Sequence, residues 1–189
     1  MDKDVHEMKA GQAMTRTSAT VFAAALLFGV APCAMAEESP IPLSGDTFTV
    51  FSEVEGWTVY SDSQTGTCLI ERTDDAGHAV QMGLTKDRQF GYIGVFTQGE
   101  LPKRDSDEII VLIDDKLFTG KVGPLSSKKL ASGYSGGYLL TDNPNFVTAI
   151  AEGKQLIGFP DSPVTFTVDL TGTKAAIEAA RECNQAISG

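Results

Sequence analysis

From residue 47 onward the chain alternates short β-branched and aromatic runs with clusters of turn-forming residues, the pattern of half-buried strands joined by tight connections. Residues 47–51, 57–61, 67–72, 79–85 and 92–97 are predicted strands, cut by stretches such as Asp74, Asp75, Ala76, Gly77 and Lys86, Asp87, Arg88. Their spacing of roughly 8 to 12 residues is the rhythm of a sandwich or barrel. Residues 109–113 and 117–121 flank Asp114, Asp115 and Lys116, which predicts a tight hairpin. Residues 138–141, 155–159 and 164–170 complete the set.

Two segments leave this period of two. Between Pro144 and Gly153, the residues Phe146, Val147, Ala149 and Ile150 fit one face of a short helix over 145–152. Over 173–187, Ala176, Ile177, Ala180, Cys183 and Ile187 recur at spacings of three and four, with Thr173 as the predicted N-cap. The expected fold is mainly β, an antiparallel β-sandwich of about ten short strands with one short helix and a C-terminal helix. Residues 37–189 are long enough to form a single β-rich domain with its own core.

The first 36 residues follow a different logic. Lys9 and Arg16 precede an apolar run over 21–31, and Ala34, Met35 and Ala36 supply the small-x-small pattern that signal peptidase cuts. Residues 1–36 are expected to be a cleaved signal peptide, leaving a periplasmic or secreted protein. The apolar run is shorter than the ~20 residues of a spanning helix, and 37–189 holds no longer one, so no transmembrane segment is expected after cleavage. Lipid attachment at Cys33 would need a small residue where Pro32 stands. Asp2, Asp4 and Glu7 suit an export signal badly, and translation from Met8 or Met14 would remove them.

Lys3, Lys9 and Arg16 balance those three acids, so the formal net charge of −10 belongs wholly to 37–189. Its basic residues are scattered rather than striped, which argues against nucleic acid and against an anionic membrane surface as partners. Cys33 leaves with the leader, and Cys68 and Cys183 remain. Two thiols in an oxidising compartment are expected to pair. The bond would close a loop of about 115 residues, for which the chain-entropy account gives roughly 4 to 5 kcal/mol as an upper figure. Two cysteines and one distant histidine are too few for zinc, and no metal or other cofactor is expected.

Gly133, Tyr134, Ser135, Gly136 and Gly137 match G-x-S-x-G, the nucleophile elbow of hydrolases. An elbow needs a buried strand before it, a helix after it and a downstream histidine. Here 126–132 is polar, 137–140 reads as extended, and His78 precedes the serine. The protease order of His78, then Asp114 or Asp115, then Ser135 leaves only about 20 residues between acid and serine, too few for a second barrel. The five residues therefore read as a glycine-rich turn, and no catalytic residue is assigned.

Asp105, Asp107 and Glu108 could hold calcium, but Lys103 and Arg104 adjoin them and no twelve-residue calcium loop follows, so a solvated loop is expected. Asp114 and Asp115, adjacent on a hairpin, point apart and cannot share a proton. Asp161 between Pro160 and Pro163 reads as a turn residue, and His78 as exposed at the start of a strand. Tyrosine offers contact area at low entropic cost, which makes Tyr134, Ser135 and Tyr138 the candidate binding residues. Of these Tyr134 is expected to be exposed, while Tyr138, like Tyr92, is expected to pack into the core at a strand end.

An export leader, Gly56, Trp57, Thr58 and Val59 opening a strand, Cys68 soon after, the Ile113, Asp114 turn, and Val168, Asp169, Leu170, Thr171 and Gly172 running into a helix together resemble the invasion-associated locus B family. These are small periplasmic proteins of alphaproteobacteria. The resemblance spans about Gly56 to Cys183 and implies an exported β-sandwich without known catalytic activity. Where members often carry a further cysteine, this chain has Tyr60, Ser61 and Asp62. The expected function is a non-enzymatic binding or envelope-associated module whose partner is an unidentified protein or envelope component. The alternative is a small periplasmic hydrolase using carboxylates in a cleft, which requires ionisable groups to converge in a water-poor pocket.

Overall fold

Glu55 and Gly56 both take positive φ, 48° and 83°, and reverse the chain in two residues between the paired Val54 and Trp57. A turn of this hand matches the twist of the strands it joins, which is why glycine stands there. The computed structural model describes residues 47–101, 108–121, 131, 133–160 and 162–188. Their elements in chain order are β1 (Phe48–Val54), β2 (Trp57–Asp62), β3 (Thr67–Thr73), β4 (Ala79–Leu84), β5 (Gly91–Gln98), β6 (Glu108–Ile113), β7 (Lys116–Lys121), β8 (Tyr134–Thr141), α1 (Pro144–Glu152), β9 (Gln155–Gly158), β10 (Phe166–Asp169) and α2 (Thr173–Ala186). The leader 1–36, Asp105, Asp107 and Asp161 lie outside the described residues.

The strands form two antiparallel sheets in a sandwich-like arrangement, ordered β1-β2-β3-β4-β5-β8 and β10-β9-β6-β7. Aspartates close the connections of the larger one. Asp62 accepts from Gln64 N and Thr65 Oγ1, both at 2.8 Å, and Asp74 accepts from Ala76 N at 3.0 Å and His78 N at 2.8 Å. The inner faces meet in one buried cluster. Trp57, Val59, Ile70, Val80 and Val95 of the large sheet pack with Val111, Ile113, Leu156 and Val168 of the small one, and with Phe146, Ile150 and Ala176 of the helices. Helix α2 covers β1 to β3, and β7 packs on β8.

The hairpin at Asp114 and Asp115 is as expected, with Asp114 at φ 51°. Among the boundaries that differ from the sequence reading, three have a clear physical cause. Strand β8 begins at Tyr134, so the glycine-rich stretch is not a turn: Tyr134, Ser135, Gly136 and Gly137 pair with Gln98, Thr97, Phe96 and Val95. Glycine at 136 makes room rather than a bend, since a Cβ would collide with the Val95 carbonyl oxygen and stand 2.5 Å from the Phe96 ring. Strand β9 stops at Gly158 because Phe159 takes φ 53°. The cap of α2 is Gly172 at φ 83°, not Thr173, and a side chain there would lie 2.5 Å from Glu55 Cβ. Thr173 is instead the first helical residue, buried, with Oγ1 donating to Leu170 O at 2.6 Å.

Candidate functional site

Cys68 on β3 is bonded to Cys183 on the apolar stripe of α2, with Cα atoms 6.1 Å apart and 115 residues between them in sequence. Both are buried. Beside the bond, Cys68 N donates to Asn184 Oδ1 at 3.1 Å and Asn184 Nδ2 donates to Ala180 O at 2.8 Å. These contacts hold α2 against β3, and α1 packs on α2. Between the helices and the ends of β3, β4 and β5 remains a cleft of about 250 Å³. Ile70, Met82, Phe146, Ile150, Ile177 and Ala180 form its apolar walls, with the half-exposed Val147 among the lining residues.

Few polar groups reach this cleft, and most are committed. Asn184 is held as above, and Thr141 Oγ1 accepts from Asn143 N at 3.0 Å. Arg181 also lines it, exposed, with no hydrogen bond or ion pair among the described residues. Among the described residues no carboxylate does. Covering its apolar walls would be worth roughly 25 cal/mol for each Å² taken out of water.

The four tyrosines project from the opposite face of the large sheet, Tyr92 also bordering the cleft near the start of β5. The register places Tyr60 by Leu69, Leu69 by Gly83, Gly83 by Tyr92, Gly94 by Tyr138 and Gln98 by Tyr134. Tyr92 and Tyr138 lie across glycines, so that a Cβ at Gly83 would come within 2.5 Å of the Tyr92 hydroxyl and one at Gly94 within 2.5 Å of the Tyr138 ring. Tyr138 meets Tyr92 and Phe96 edge to face, with centroids 5.1 and 5.2 Å apart. Its hydroxyl donates to Gln81 Oε1 at 2.6 Å, and Gln81 Nε2 donates to the buried Glu71 at 2.6 Å. Burial pushes the Tyr92 and Tyr138 hydroxyls well above the ordinary tyrosine range; Tyr138 and Asp62 add to the first, Glu71 to the second.

Tyr134 is therefore not the exposed loop residue expected from the sequence. It sits in a strand, 8% exposed, packed with Ala79 and Phe96. Tyr134 and Tyr138 share one face, while the intervening Ser135 points to the other. His78 also departs from expectation. Its Nδ1 lies 2.8 Å from Asp74 Oδ2 and its ring stacks on Phe166 with centroids 4.5 Å apart, so its acidic partner is neither Asp114 nor Asp115.

A second groove, of about 600 Å³, runs between the β6–β7 hairpin and α1, and it does carry carboxylates: Asp114, Asp115 and Glu152. The Asp114 carboxylate accepts from Lys154 N at 3.1 Å and Gln155 N at 3.2 Å, which ties the hairpin to the start of β9. Asp115 and Glu152 stand in water. Among the described residues no three His, Cys, Asp or Glu side chains stand together as metal ligands.

Sequence reasoning missed the apolar cleft because its walls come from six separate elements, each of whose residues reads as an ordinary core position. One signal was present. Ile177, Ala180, Arg181 and Asn184 fall on one helical face, so an exposed arginine interrupts an otherwise half-buried stripe. The chain matches no family model, no curated protein and no solved structure, so its likeness to the invasion-associated locus B family rests on the residues named above alone.

Proposed function

We propose that this chain is an exported, non-enzymatic β-sandwich of the invasion-associated locus B type, a binding module whose site is the cleft between the large sheet and the two helices. The observation that carries this reading is the lining: mostly apolar side chains, an arginine as the charged group, and no carboxylate among the described residues. Hydrolysis by paired carboxylates needs them together in a place poor in water. In the groove that holds Asp114, Asp115 and Glu152, the first is bound by backbone amides and the other two are exposed. Export is supported by the leader pattern and by the Cys68–Cys183 bond, since cytosolic thiols are kept reduced.

Titration with N-phenyl-1-naphthylamine, an uncharged apolar fluorophore, tests the cleft. Saturable binding of one probe per chain is expected, weakened at least tenfold by Ala180→Phe, which fills the cleft, and by Val147→Trp, which narrows its mouth from an exposed position. Binding that survives both variants, or no saturable binding at all, removes the cleft from the function. Export predicts an intact mass beginning at Glu37; a lipid-modified Cys33 would contradict it.

A further inference from the structure

Resting on the cleft as the binding site, we infer that its ligand is a single-chain carboxylate, an acyl group of modest length lying along the apolar walls with its headgroup met by Arg181. The size sets the apolar part. About 250 Å³ lies between the ~150 Å³ cavity that takes benzene and the ~300 Å³ at which drug-sized sites begin, so a short acyl chain fits and a two-chain lipid does not. The charge sets the headgroup. Arg181 follows Ile177 and Ala180 on the helical face that lines the cleft, so an exposed and flexible arginine side chain borders the apolar walls. Glu178, one turn earlier, and Glu182, the next residue, form no ion pair with it among the described residues, although acids outnumber basic residues 25 to 15 in this chain.

The guanidinium fork matches a carboxylate in two parallel hydrogen bonds. Tyr92, Thr141 and Asn184 also line the cleft but are uncharged, and Asn184 is hydrogen-bonded to Cys68 N and Ala180 O, which leaves Arg181 as the cationic group to choose the headgroup. The chain's overall negative charge does not oppose this. Charges more than about 8 Å away are largely screened at physiological ionic strength, so acids scattered over the surface weaken attraction to an anionic membrane far more than one local contact.

Calorimetric titration of the oxidised protein with decanoate, decan-1-ol and decyltrimethylammonium separates the two parts of this inference. Decanoate is expected to bind one per chain, about five- to tenfold more tightly than decan-1-ol, with the cation weakest. Arg181→Gln should erase the preference for decanoate and leave decan-1-ol unchanged, while Val147→Trp should weaken both. Equal binding of decanoate and decan-1-ol, or a preference that survives Arg181→Gln, overturns the carboxylate assignment and leaves the cleft standing. No binding by any of the three overturns the cleft as the site, and this assignment with it.

Discussion

The indole nitrogen of Trp57 donates to the main-chain oxygen of Thr171 at 3.1 Å, across 114 residues of sequence. Arg72 gives the same oxygen a second donor at 2.8 Å, lays its guanidinium 5.9 Å from the indole centroid, and stands 3.8 Å from Asp169. Gly172 packs against Glu55 beside it. Two of the stretches on which the resemblance rests, one opening β2 and the other leading into α2, are therefore a single unit in space. The resemblance follows a packing requirement, the fully buried Trp57 and the turn that receives it.

Trp57→Phe is expected to lower stability by about 2 to 3 kcal/mol, from lost volume and a lost donor at a buried site. Arg72→Ala on that background should show coupling of more than about 0.5 kcal/mol in a double-mutant cycle followed by urea denaturation. Simple additivity would mean that the two donors act independently.

The crosslink has both a mechanical and a functional consequence. Replacing Cys68 and Cys183 together with serine should cost up to about 5 kcal/mol through the unfolded chain. It should also weaken naphthylamine binding, because the bond holds one wall of the cleft to the other. A variant that melts earlier yet binds unchanged would show that packing alone positions α2.

Tyr134→Ala is expected to destabilise by about 3 kcal/mol, as for other large-to-small changes in a core. Gly136→Ala should be at least as severe, since the new carbon meets the Val95 carbonyl and Phe96, neither of which can move away freely. Thermal melts decide both. A nearly unchanged melting temperature for Tyr134→Ala would return that ring to the surface.

Stability should fall at both ends of the pH scale for identifiable reasons. The Thr171 amide, then its hydroxyl, then Arg72 hold the Asp169 carboxyl below its ordinary value of 3.8. Its folded pKa is lower than its unfolded one, so its stabilisation is complete above the unfolded value and is lost as pH drops through the folded one. Asp169→Asn should flatten that acid limb. Tyr92 and Tyr138 run the other way: burial raises their folded pKa, so the native state is favoured up to the unfolded tyrosine value near 10 and is lost above it. Tyr138→Phe should reduce the alkaline loss, read as the unfolding midpoint between about pH 9 and pH 12. An alkaline limb unchanged by Tyr138→Phe would place the cause elsewhere.

Strands, helices and crosslink were legible in the sequence because each rests on short-range rules. Period-two runs such as Trp57 to Ser61, the stripe from Ala176 to Cys183 and the two cysteines left once the expected leader is set aside need no knowledge of what lies across the core. Where a residue's conformation depends on a distant neighbour, the local reading failed. Gly136 looked like a turn former, but Phe96 needs the space above it; Thr173 looked like a cap, but Gly172 passes too close to Glu55 to be anything larger. Tyr134 looked exposed until β8 paired with β5 and turned it onto a face filled by Ala79 and Phe96. The cleft belongs wholly to tertiary structure. Its walls are residues whose sequence pattern says only that they are apolar, and a void appears where sheet ends and two helices fail to close on one another, a property of shape that no single segment contains.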